Sequence, residues 1–249
     1  MRTNLTAQCA CSLYLGSAVI AFGQQPPAPS ADAKTQQIAA FKQSLAENKK
    51  SIRQYSWIET TQISLKGEVK KTEQKQCRYG PDGQVVKTPL GGPPAQPQAQ
   101  GDGGGRRRGG GAIKEKVIEK KVDEMKDYMA QVAGLVKQYV PPEPAKIQAC
   151  QQAGKAALNR EISPGVSELA FSDYSKPGDK LTLGFKAAAK TIDHVNVNSY
   201  LGDAKDAVTL AVRFASLPDG VNYPAEINLV AKAKEIQVKI THSDYKKGQ

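Results

Sequence analysis

Between residues 118 and 139 the apolar side chains recur in a four–three alternation. Ile118, Met125, Val132 and Tyr139 are spaced by seven, and Val122, Met129 and Val136 interleave with them. That spacing draws one stripe down one side of a helix, with Lys, Glu and Asp crowding the rest. A helix of this kind is unstable alone and must lay its stripe on another element. Whatever flanks it therefore has to supply an apolar surface.

The flanking sequence reads as strand. Residues 54–65 alternate with β-branched and aromatic content, and Lys66–Gly67 is a two-residue hairpin signal. A polar returning strand over 68–79, the turn Gly80–Gly83 and a third strand over 84–90 complete an antiparallel meander. Before it, an amphipathic helix is expected to residue 50, with Ile38, Phe41 and Leu45 on one face. After the central helix, Pro141, Pro142 and Pro144 enforce a break. A second helix is expected over 144–159. From residue 166 onward short period-two runs alternate with turns: 181–185, 192–200, 208–214, 223–230 and 236–240. Strands joined by short turns pair antiparallel, and alternation leaves one face buried and one wet. The expected fold class is α+β, an antiparallel sheet of about nine or more strands with helices packed on one face.

The N-terminus has the form of a secretory signal. Arg2 precedes an apolar run from Ala10 to Phe22, and Ala21 and Gly23 are small residues at the cleavage positions. Residues 1–23 are read as that signal, 24–33 as a disordered lead-in, and 34–245 as one domain. A Gly/Pro/Arg-rich stretch at 91–111, with Arg106, Arg107 and Arg108 in a row, is read as a disordered insertion in that domain. It lacks the interleaved aromatics of a nucleic-acid tail, so nucleic acid is not an expected partner. No transmembrane segment is expected, and the location follows as periplasmic or secreted.

The formal net charge of +11 is concentrated in the first half. Residues 49–87 hold nine lysines and arginines against four acids, whereas residues 161–249 balance. A basic sheet face suits an anionic envelope component. Beyond the signal, Cys77 and Cys150 remain. In an oxidising compartment they form either a bridge, which would contribute about 4 kcal/mol through loop closure, or two separate buried thiols.

Catalytic chemistry has no visible carrier. His194 and His242 have no set of metal ligands at the usual spacing, and neither cysteine lies in a nucleophile motif. The Gly-rich stretch lacks the Lys-Ser/Thr ending of a phosphate loop. No catalytic residue, metal or cofactor is assigned, and the chain is read as a non-enzyme.

The order of elements resembles the lipoprotein-localisation-factor superfamily, the periplasmic carriers and outer-membrane receptors of bacterial lipoproteins. The cues are the helix before Tyr55-Ser56-Trp57-Ile58-Glu59-Thr60 and the paired strands ending in Ile236-Gln237-Val238-Lys239-Ile240. The resemblance implies an incompletely closed β-barrel whose concave face is lidded by helices, and a lipid or acylated ligand held between them without catalysis. Trp57, Ile118, Met125, Met129 and Val132 are then the candidate cavity wall. Met suits such a wall because its thioether adapts to varied shapes. The alternative is an envelope scaffold or interaction module using the basic sheet face.

Overall fold

The structure, a computed structural model, describes residues 43–91 and 111–248, with the backbone alone over 111–119. The expected signal segment, the lead-in and nearly all of the 91–111 insertion lie outside the described residues.

A helix over residues 43–51, α1, runs through a turn of 3-10 helix (Ile52–Gln54) into β1 (Tyr55–Leu65). Lys66 and Gly67 both take positive φ, 54° and 80°, the geometry that matches strand twist in a two-residue hairpin. β2 (Glu68–Tyr79) and β3 (Val85–Pro89) complete the first meander. Then come α2 (Gly111–Val136) and α3 (Pro144–Gln152). Seven strands close the chain: β4 (Ala156–Ser163), β5 (Val166–Ser172), β6 (Lys180–Lys186), β7 (Thr191–Tyr200), β8 (Ala207–Ser216), β9 (Asn222–Ala231) and β10 (Ile236–Lys247).

The fold is α+β, with one ten-stranded sheet in the order β3-β2-β1-β10-β9-β8-β7-β6-β5-β4. Every neighbouring pair is antiparallel. The first strand therefore pairs with the last, and β3 and β4 end the hydrogen-bonded ladder. No helix among the described residues is long and apolar enough to cross a membrane.

The main core lies between α2, α3 and one face of the sheet. Phe171, Leu181, Val195, Val197, Leu210 and Val212 supply the sheet side, and Tyr128, Val132, Leu135 and Tyr139 the helix side. The segment after α2 is pinned by a polar lock. The Tyr139 hydroxyl donates to Asp179 and lies 2.8 Å from Ser199 Oγ, while Asp179 also accepts from the backbone N–H groups of Ser175 and Lys176. Burial, and then the Asp179 carboxylate, push the Tyr139 hydroxyl pKa upward. A buried carboxylate is tolerated here because three donors converge on it.

Two expectations need correction. The helix expected over 144–159 ends at Gln152, because Gly154 at φ +69° reverses the chain and 156–163 joins the sheet as β4. The apolar stripe is also rotated and graded. Val132 and Tyr139 are fully buried and Met125, Met129 and Val136 partly so, but Val122 is 46% exposed. Tyr128 and Leu135 take its place on the buried side. At 100° per residue Val122 stands about 80° around the helix from Val132, while Tyr128 and Leu135 stand about 40° and 60° away on its other side. Ile118 lies on α2, but its side chain is outside the described set.

This difference is measurable. Leu135→Ala, which opens a void in the core, is expected to cost about 3 kcal/mol, whereas Val122→Ala stays within about 0.5 kcal/mol. Urea denaturation of the two variants makes the comparison.

Candidate functional site

Register decides which side chains share the helix-covered face. Val238 pairs with Ile63 and Leu229, and Ile240 with Thr61 and Ile227. Continuing along the same parity, His242 sits opposite Glu59, Glu59 opposite Lys75, Trp57 opposite Cys77 and Cys77 opposite Lys87. Five strands thus bring residues from positions 57 to 242 onto one surface.

Glu59 is the centre of its polar part and is only 6% exposed. Lys87 Nζ donates to both carboxylate oxygens, at 2.7 and 2.6 Å. His242 Nε2 lies 3.3 Å from Oε2, and its Nδ1 lies 2.7 Å from Pro224 O. The hydrogen bond from His242, with help from Lys87 and against the effect of burial, holds the Glu59 carboxyl down to about 2. Next to it Trp57 is 5% exposed, and its indole Nε1 has no hydrogen-bond partner among the described residues. Its ring packs on Tyr79 at 5.4 Å and Tyr245 at 5.6 Å, and Tyr223 lies 4.3 Å from Tyr245. Rings this close touch one another, so they form a packed floor and leave no room for a cation between them.

Cover thins from one side of this face to the other. On β5 to β8 the helix-facing Phe171, Leu181, Val195 and Val212 are buried, and Leu169 and Leu183 are partly so. On β9, β10 and β1, Ile227, Leu229, Val238, Ile240 and Ile63 are only partly buried. The helices explain this. Tyr128 on α2 donates to Asp206 and lies under Lys234, placing α2 at the strand ends beside turns 201–206 and 232–235. α1 is held at the opposite ends, where Asn48 exchanges two hydrogen bonds with the Asn222 backbone and Ser44 Oγ donates to Lys190 O. Between them lies an apolar strip of β9, β10 and β1, hereafter the trough, which the described residues cover only in part. Two surface clefts, of about 180 and 530 Å³, lie at the strand ends, beside α1 and beside the 201–206 turn.

Of the five expected wall residues, Met125, Met129 and Val132 border the main core together, and Trp57 lies at the far end of the trough among the aromatic rings. Ile118 is not placed. The structure adds Ile227, Leu229, Val238 and Ile240, brought together by the β9–β10 pairing, and Ile63, which joins them because β1 pairs with β10. Of the two alternatives for the cysteines the structure has the separate thiols: Cys77 and Cys150 are both free and buried. Cys77 sits opposite Trp57, whereas Cys150 belongs to the main core with its thiol directed at Ser172 O. Burial raises both thiol pKa values, the opposite of what a nucleophile requires.

Each histidine also has a carboxylate that sequence spacing hides. His194 lies 3.3 Å from Glu168 and 3.0 Å from Asp193, its ring resting where a Cβ on Gly184 would come within 2.1 Å. Only glycine fits there. No group of three or more metal-ligating side chains occurs among the described residues. The chain matches no known family model, no curated protein and no solved structure, and its own geometry carries the functional argument.

The lowered Glu59 pKa fixes a direction for acid sensitivity. A depressed carboxylate contributes its stability fully above the unfolded value near 4.5 and loses it as pH falls toward about 2. Glu59→Gln is expected to lose about 2 kcal/mol at pH 7 and to flatten the decline over that window. Urea midpoints measured from pH 7 to pH 2 supply the test. Thiol titration of a denatured chain starting at Gln24, without reductant, is expected to give two reactive groups.

Proposed function

We propose that this is a non-enzymatic binding protein that carries a lipid or acylated ligand along the half-covered trough. In this reading the sheet curls as an unclosed barrel, α1 and α2 are its lid, and the protein works in the periplasm or outside the cell. The resemblance to lipoprotein-localisation factors points the same way. The observation that carries the reading is the continuous apolar surface of Ile63, Val238 and Leu229 beside Ile240 and Ile227, only partly buried on a face whose middle is a packed core. Exposed contiguous apolar surface on a folded domain marks a binding surface far more often than chance.

The second reading, a scaffold that touches an anionic partner through its basic sheet, draws on the lysines of β2. Each of Lys70, Lys71 and Lys75 already has a carboxylate partner, Glu68 for the first and Glu73 for the other two. That lowers the charge available to a purely electrostatic contact.

Native mass spectrometry and solvent extraction of the purified protein are expected to reveal a bound acyl chain. In the lipid-stripped protein, Ile240→Glu places a charge in the trough and is expected to weaken binding of the neutral probe 1-aminoanthracene about tenfold or more. Val69→Glu, at a solvent-exposed position of β2, leaves it unchanged. Equal probe binding by the two variants would remove the proposal.

A further inference from the structure

The basic strand and the apolar trough are one surface. Register puts Lys71 opposite Ile63 and Lys75 opposite Glu59, on the face that carries Val238 and His242. Lys87 reaches the same face from β3, where it bonds to Glu59. Three ammonium groups therefore line one flank of the trough, with Glu59 and Glu73 as their carboxylate partners. Lys71 and Lys75 share the single Glu73 carboxylate, at 2.5 and 3.2 Å, so one positive charge on this flank is uncompensated. The lysine side chains are 49%, 32% and 43% exposed, within reach of a ligand lying on Ile63 and Ile240. Arg78, next to Cys77, falls on the opposite face.

We infer that the trough selects an anionic amphiphile, with its chain over Ile63, Val238 and Ile240 and its carboxylate head against Lys71 and Lys75. This rests on the trough being the binding site. An exposed ammonium contributes little alone, but two acting on one head group beside a low-dielectric surface discriminate against an uncharged head.

Binding is read by isothermal titration calorimetry, which needs no reporter group. Lipid-stripped protein at pH 8 is titrated with dodecanoate, dodecanol and dodecyltrimethylammonium below their micellar thresholds. Dodecanoate is expected to bind about tenfold tighter than dodecanol. The cationic chain is expected to bind weakest, and acetate, the head without the chain, to compete with none of them. Lys71→Gln/Lys75→Gln removes the preference for the acid over the alcohol while Arg78→Gln retains it. Lys87 is kept in both, because it is the partner of buried Glu59. Raising NaCl to about 1 M, where screening acts within about 3 Å, erases the preference in the unmutated protein and needs no variant to fold. Acid and alcohol binding equally would overturn the inference and leave the trough intact, as would competition by acetate. A protein that binds none of the three chains would overturn the inference and the carrier reading together.

Discussion

The ladder between β1 and β10 holds this architecture together. It joins the first strand to the last across Tyr55–Lys247 at one end and Leu65–Ile236 at the other. Without it the molecule would be two meanders: a three-stranded polar one, mostly exposed, and a seven-stranded one beneath α2 and α3. With it, the polar meander is fixed in register beside the apolar one, and the face sealed by α2 continues onto β1 and β2. The Glu59–His242 contact and the pairing of Ile63 with Val238 both span this seam. Pairings of such long sequence separation carry the greatest loop-closure cost, and they reward the chain only after its intervening strands are in place.

A division of labour follows across the sheet. The β5–β8 half has tightly buried alternate residues, and the Tyr139–Asp179–Ser199 lock fixes the segment after α2 over it. The β9–β10–β1 half has the same alternation but thinner cover. Residues 161–249, which include β9 and β10, balance in charge, while residues 49–87, mostly on β1 to β3, carry a net +5. A protein that had to hold a ligand and remain folded without it would gain from this separation, since stability resides where the ligand does not.

Much of the fold was legible from the residues. Period-two runs located nearly every strand, and Lys66–Gly67 and Gly80–Gly83 located their turns, because local backbone chemistry dictates both. The tail of β10 was missed beyond Ile240, since Thr241 to Lys247 is polar and its strand character comes from pairing with β1. β4 was read as helix because Ala, Leu and Asn at 156–159 suit either state until Gly154 breaks the chain. The site was far less legible. Glu59 and His242 are 183 residues apart, and nothing in either local sequence announces the other. The basic character of β2 was visible, but which lysines share a face with the apolar trough depends on a register slip between Ile63 and Ser64.

The two ends of the ladder have a further consequence. Among the described residues β3 and β4 each present an unpaired row of backbone groups, flanked by Val85 and Val86 on one and Leu158 and Ile162 on the other. Such rims are templates on which a neighbouring copy could grow a continuous fibre. Each is blunted in its own way: β3 is five residues long and stops at Pro89, which has no amide hydrogen to offer, and β4 is broken at Glu161, whose left-handed backbone twists the strand out of line. Borders this short and this crooked make a poor pattern for edge-to-edge growth.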